Sequence, residues 1–219
     1  MSIFSYYPYV GFLLLLFLIY AGYEDFRSRK IATVIFLVFD IGLLLYYLAV
    51  NPYLSILLIP LIGEYWVRKY SIIFYLVILF PLLLSPSILV ISVAYSVLLM
   101  KVFSIIIKNF GRGDLKVLQT IAAGFPLYPH LPLLYSILPP VIPILMLSSI
   151  MGMFSGLFIY LSNRDGKLRG RFTSIPVGNV KDEYKYWIRG DRAVYKIPLV
   201  TFISISYAII FILSLLRLV

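Results

Sequence analysis

The sequence contains no cysteine and a single histidine, His130. The first absence excludes disulfides and thiolate metal ligands, and the second excludes a histidine-rich metal site. No metal and no organic cofactor is expected. Acidic residues are also scarce, nine in 219, and charged residues make up 13% of the chain, about half the share of an average soluble domain. What fills the space is apolar: 62% of residues are hydrophobic and the mean hydropathy is +1.01. A soluble fold of this size could not hide so much apolar surface, so lipid must be the solvent for most of it. The expected fold is all-α and membrane-integral, a polytopic bundle of about eight transmembrane helices in one membrane-embedded domain over 1–219. The net charge of +10 does not indicate nucleic acid, because the basic residues gather in short gaps between apolar runs. That distribution encodes membrane topology.

Eight apolar runs can be traced: Tyr6 to Tyr23, Ile31 to Val50, Tyr53 to Trp66, Tyr70 to Leu84, Ile88 to Ile107, one starting at Leu115, Leu134 to Leu161, and Ile197 to Leu216. Several are short for a span of about 20 residues. The third contains Pro60 and Gly63, the sixth dissolves into Pro126-Leu127-Tyr128-Pro129-His130, and the seventh contains Pro139, Pro140 and Pro143. The first lacks an upstream basic region and reads as a retained helix rather than a cleaved signal peptide.

Lys and Arg fall in alternate gaps. Arg27, Arg29 and Lys30 follow run one, and Arg68 and Lys69 follow run three. Lys101, Lys108, Arg112 and Lys116 surround the break after run five, and nine more lie between Ser162 and Lys196. The other gaps, near Asn51, Ser85 and Tyr128, hold none. The positive-inside rule puts the basic gaps in the cytosol and both termini outside, as in a multi-pass plasma-membrane protein. The 162–196 segment is the one long polar stretch. It fits a folded cytosolic loop on anionic headgroups, or one that helps gate or recognise substrate.

Four acids, Asp165, Asp182, Glu183 and Asp191, belong to that loop and are expected to be solvated. Glu24, Asp25, Asp40, Glu64 and Asp114 remain, at or within helices, where ionisable groups are costly and usually functional. Asp25 ends run one and Asp114 opens run six, 89 residues apart with four runs between them. An even number returns both to the same face. Two carboxyls that approach one water cannot both ionise and must share a proton. One form removes a proton from the water while the other polarises a carbonyl, with the roles belonging to the pair. Gly111 and Gly113 would let the backbone turn and approach a substrate strand, and Asp114 would stand at a helix N-terminus. The remaining groups have plainer readings. Asp40, mid-span, fits either a protonated acid or one paired with a polar group on another helix. Glu64 is spaced to pair with Arg68, and Lys101 and Lys108 to snorkel to the interface.

Gly111-Arg112-Gly113-Asp114-Leu115-Lys116, with Asp25-Phe26-Arg27-Ser28-Arg29-Lys30-Ile31 upstream, resembles the prepilin peptidase family of GxGD aspartyl proteases. The likeness runs over roughly Phe4 to Ala123. It is greatest to the archaeal branch, the preflagellin (prearchaellin) and class III signal peptidases. The absence of Cys matches that branch, since bacterial members carry a cytosolic Cys cluster and methylate the new N-terminus. Where the family usually has Pro-Asn, this chain has Ala32-Thr33. Archaeal members also usually have fewer helices between the aspartates. The resemblance implies that Asp25 and Asp114 form the catalytic dyad. It also implies partners that are precursors with type IV pilin-like signal peptides, cut at the cytosolic face between a short basic leader and an apolar helix. Gly111, Gly113 and Lys116 would then flank the substrate, and Glu24 and Glu64 would attract the leader's basic groups.

Two other functions fit parts of the pattern. In an ion- or proton-coupled transporter, Asp25, Asp40, Glu64 and Asp114 would line a path, although no internal repeat is visible. A presenilin-like or signal-peptide-peptidase-like intramembrane protease would share the Gly-x-Gly-Asp element, but the chain is short and no Pro-Ala-Leu sequence occurs.

Overall fold

The computed structural model describes residues 7–28, 33–66, 75–106, 111–128, 138–162, 174–176, 186–189 and 192–216. Within them every apolar run contributes a helix: α1 (Tyr7–Ser28), α2 (Thr33–Val50), α3 (Pro52–Gly63), α4 (Leu79–Leu84), α5 (Ile88–Ile106), α6 (Arg112–Gly124), α7 (Val141–Ser162) and α8 (Leu199–Leu215). Local chemistry sets their ends. The Asn51 side chain accepts the Tyr53 N–H at 3.1 Å and Pro52 fills the first helical position, so α3 starts directly after α2. Pro139 and Pro140 precede α7, and Pro143 falls in its first turn, where a missing N–H costs nothing. α1 runs five residues past its apolar run, so Glu24 and Asp25 are helical. Ser28 donates to the Glu24 carbonyl at 2.9 Å and closes the last turn.

Among the described residues four helices are long and apolar enough to cross a membrane: Pro8–Ser28, Thr33–Val50, Ile88–Ile106 and Val141–Phe158. The remaining four are shorter. Gly63 ends α3, Ser85-Pro86 ends α4, and Phe125-Pro126 follows α6. Large apolar side chains such as Phe12, Leu16 and Ile19 on α1, Leu45 on α2, Ile106 on α5 and Phe158 on α7 are exposed. Lipid tails accept such a surface at no cost, whereas water would not.

The bundle is organised around α6, which touches α1, α2, α3, α5, α7 and α8. This thirteen-residue helix carries Asp114, Lys116, Gln119 and Thr120, yet every residue from Leu115 to Gly124 is buried. A polar helix at the centre of an apolar bundle must find its partners inside the protein. Around it α1 packs along α8, α2 against α3, and α7 against α8. Phe125, Tyr207 and Phe211 form a ring cluster with centroids 5.6–5.7 Å apart, and Tyr207 donates to the Gly11 carbonyl at 2.9 Å.

The all-α expectation holds for the helical body but not for the polar segment. There a three-stranded antiparallel sheet forms in the order β1 (Ser174–Pro176), β3 (Arg192–Tyr195), β2 (Tyr186–Arg189). Ile175 pairs with Ala193, and Ala193 with Ile188. Tyr186-Trp187-Ile188 and Val194-Tyr195 are aromatic and branched residues, which suit strands.

Candidate active site

Asp25 lies in the last two turns of α1 and is buried, 7% exposed. Its Oδ2 accepts the backbone N–H of Thr201 at 3.2 Å, and the Thr201 hydroxyl lies 3.5 Å from the same oxygen. Thr201 is in the first turn of α8, whose cap, Pro198, supplies no side-chain bond. The first N–H groups of a helix have no partner within it, and Asp25 fills one of these vacancies from another helix. Gly22 makes the approach possible. A Cβ there would stand 2.8 Å from Ser204 Oγ and 3.4 Å from the Thr201 Cα.

Asp114 is placed by a different device. Gly111 is the N-cap of α6, with extended backbone, and its carbonyl accepts the Leu115 N–H at 3.0 Å. Asp114, three residues on, reaches back and accepts a hydrogen bond from the Gly111 backbone, the acid half of a capping box. Gly111 has a role beyond the one expected. Its missing side chain makes room for the Asp114 carboxylate itself, since a Cβ would collide with Oδ2. Gly113 is half-buried in the first turn of α6.

The two aspartates lie within electrostatic reach of each other. The charge of Asp25 acts on Asp114. Burial foremost, and then that charge, push the Asp114 carboxyl up to about 7, against the opposing pull of the Gly111 N–H. Residues 89 apart in sequence thus share one electrostatic site between the end of α1, the start of α6 and the start of α8.

Glu64 and Lys116 lie elsewhere. Residues two apart on a helix point about 200° from each other, so Lys116 faces away from Asp114. Its ammonium contacts Glu64 at 3.3 Å, donates to the Leu61 carbonyl at 3.0 Å and sits 4.3 Å from the centre of the Tyr65 ring. Lys101 also turns inward instead of snorkelling. It pairs with the other oxygen of Glu64 and lies over the Tyr75 ring at 5.1 Å. Tyr75 donates to Glu64 at 2.9 Å and accepts from Gln119 at 2.6 Å. Glu64, expected beside Arg68 or a substrate leader, is thus the hub of an interior network. Arg68 itself lies outside the described residues, as do Arg29, Lys30, Lys69, Lys108, His130, Asp165, Asp182, Glu183 and Asp191. Glu24, one position before Asp25, points about 100° away from it around α1 and is half-buried.

Asp40 is paired with polar groups from other elements, as one of its two expected forms had it. Fully enclosed at 1% exposure, it accepts from Thr120 at 2.9 Å and from Tyr65 at 3.5 Å. The sequence held a signal for this network. Lys116, Gln119 and Thr120 recur at i, i+3 and i+4, a polar stripe on one helix face. Thr201 offered none, being an unremarkable residue in an apolar run 176 positions from Asp25. Among the described residues, no group of three or more His, Asp or Glu is placed to hold a metal ion.

Comparison with known proteins returns no match to any family model, curated protein or solved structure. The functional reading therefore stands on the chain's own motifs and geometry.

Proposed function

We propose that this protein is an intramembrane aspartyl endopeptidase with Asp25 and Asp114 as its catalytic pair. The observation that supports the reading is that two acids from distant, motif-bearing segments, Asp25 buried and Asp114 half-buried, lie close enough for the charge of one to act on the other. A water between them would lose a proton to the ionised carboxyl as its oxygen adds to the scissile carbonyl carbon. The protonated carboxyl would give its proton to the carbonyl oxygen. Collapse of the tetrahedral adduct breaks the C–N bond, and the leaving nitrogen takes up a proton from the pair. Neither step needs a metal, and neither aspartate is assigned a fixed role.

The Gly-x-Gly-Asp and Asp-x-Arg-x-Arg-x-Ile motifs support prepilin-peptidase-like substrates of the archaeal kind, namely precursors of pilin-like or archaellin subunits. The pattern of basic gaps supports eight membrane passes, external termini and a site at the cytosolic face of the plasma membrane, where a basic leader meets an apolar helix. Glu24 and Gly113, both near the pair, are the residues to test for contact with that leader.

The interior network of Asp40, Glu64, Lys101 and Lys116 is the one observation that favours a transporter. Both oxygens of Glu64 and both oxygens of Asp40 already accept hydrogen bonds. That satisfaction suits a structural lock better than an ion path. The decisive experiment is cleavage of such precursors in membranes by wild type, Asp25→Asn and Asp114→Asn. The proposal expects a size shift with wild type and none with either variant. Full activity in either variant removes that residue from the mechanism. Absence of cleavage by wild type, together with proton or cation flux lost in Glu64→Gln, would establish the transporter instead.

A further inference from the structure

We infer that Thr201, at the first turn of α8, is a positioning residue that orients the Asp25 carboxylate for its work with Asp114. The inference rests on the aspartyl-peptidase reading above. α1 and α8 are joined side by side by three hydroxyl bonds, that of Tyr207 to Gly11 and two nearer the site. Thr201 Oγ1 donates to the Gly22 carbonyl at 2.8 Å, and Ser204 Oγ donates to the Leu18 carbonyl at 2.7 Å. Sequence number falls along α1 as it rises along α8, so the pairing is antiparallel. The two bonds lie about one turn apart, and both rely on the close approach that Gly22 allows.

Only the Thr201 end of this joint touches the site. Its backbone N–H binds Oδ2 of Asp25 at 3.2 Å, and its hydroxyl lies 3.5 Å from the same atom. A carboxylate is free to turn about its Cβ–Cγ bond unless something engages one oxygen. Thr201 engages Oδ2, which fixes the plane of the group and the direction of Oδ1. The hydroxyl bond to Gly22 in turn fixes Thr201, so the threonine acts through both its backbone and its side chain. A carboxyl that must share a proton with a second carboxyl depends on this kind of orientation. Losing it costs rate without altering the binding of a substrate held elsewhere.

The placement also links the site to the polar segment. β3 ends at Tyr195 and α8 begins at Leu199, so three residues separate the sheet from the helix turn that holds Asp25.

The test compares three variants of the full-length protein in membranes or nanodiscs, with a precursor that wild type cleaves. Thr201→Val removes the hydroxyl at nearly constant volume. Thr201→Ser restores it. Ser204→Ala removes the neighbouring helix bond without touching Asp25. We expect Thr201→Val to lower kcat about tenfold with KM unchanged, Thr201→Ser to recover most of that loss, and Ser204→Ala to lower thermal stability while leaving kcat per folded molecule unchanged. Thermal unfolding of each variant supplies the correction for folded fraction. The inference is overturned if Thr201→Val keeps wild-type kcat, if its loss lies in KM alone, if Thr201→Ser fares no better, or if Ser204→Ala loses kcat equally. In each of those outcomes an inactive Asp25→Asn leaves the peptidase reading standing. A fully active Asp25→Asn removes both.

Discussion

Thr120 donates a hydrogen bond to Asp40 at 2.9 Å, joining the middle of α2 to the middle of α6 across 80 residues of sequence. The acid is 1% exposed and the threonine 0%. It stands apart from the Asp25–Asp114 pair in its contacts, which are with Thr120 and Tyr65. Asp40→Asn keeps one acceptor oxygen for Thr120, so cleavage should persist at near the wild-type rate. Asp40→Ala strands both donors, and leaving buried polar groups unpaired costs about 1–3 kcal/mol. The check is unfolding in detergent alongside cleavage. A stable but inactive Asp40→Asn would show that the catalytic pair is misassigned.

Glu64 answers two lysines at once, so the members of that network should not be equivalent. Glu64→Gln removes the carboxylate that Lys101 and Lys116 share, and breaking a buried pair from one side costs about 3–5 kcal/mol in comparable sites. Lys101→Met leaves the Glu64–Lys116 pair intact and fills the space with a side chain of similar length, so it should cost clearly less. A double-mutant cycle between positions 64 and 101, read by chemical unfolding, should give a coupling above about 1 kcal/mol. Coupling near zero would mean that the pair does not form in the membrane.

The contrast between these residues and the aspartate pair shows what the sequence made legible. Among the described residues each helix corresponds to one of the apolar runs, and four of them are long and apolar enough to cross a membrane. Asp25 and Asp114 stood out because an acid at the end of a span is conspicuous, and short motifs flanked both. Helix length was harder to read, since proline or glycine could mark either an interruption or an end. Pro60 lies inside α3 and Pro143 in the first turn of α7, whereas Pro126 follows the end of α6. The strands of the polar segment were also not legible, because a few residues at the strand period are a weak signal. Lys101 and Glu64 were read as local partners of solvent and of Arg68. Their real partners come from other helices, and hydropathy carries no information about which helices adjoin. Thr201 shows the limit most clearly, as its importance comes from a single contact 176 residues away.

Gly111 offers a sharp steric test. Because a Cβ there would strike the Asp114 carboxylate, Gly111→Ala should displace that group from the Gly111 N–H and from Asp25. The backbone at Gly111, φ −65° and ψ 138°, suits alanine, so the helix itself should form normally. The expected outcome is a folded protein whose cleavage rate falls by at least tenfold. Gly42→Ala serves as the control, since a Cβ there meets nothing within 4 Å. Equal activity in the two variants would mean that the carboxylate has room to move and that its placement by Gly111 is unimportant.

The raised pKa of Asp114 gives the reaction a pH dependence with a definite sign. Its carboxyl, ordinarily ionised above about 3.8, is held protonated up to about 7 by burial and by the charge of Asp25. A shared-proton pair works only while one proton remains, so the cleavage rate should fall as pH rises through about 7. Stability follows the same group. Its folded value lies above its unfolded one, so the stability it contributes is fully present below pH 3.8 and is lost as pH rises toward 7, beyond which the penalty is constant. Asp114→Asn cannot ionise and escapes the penalty. The variant should therefore unfold at a higher temperature than wild type at pH 8, and the difference should shrink steadily toward pH 4. Melting curves of both proteins in the same detergent, taken at each unit of pH, decide the matter. A difference that is independent of pH would mean that Asp114 titrates as an ordinary exposed acid, and the electrostatic coupling of the pair would lose its support.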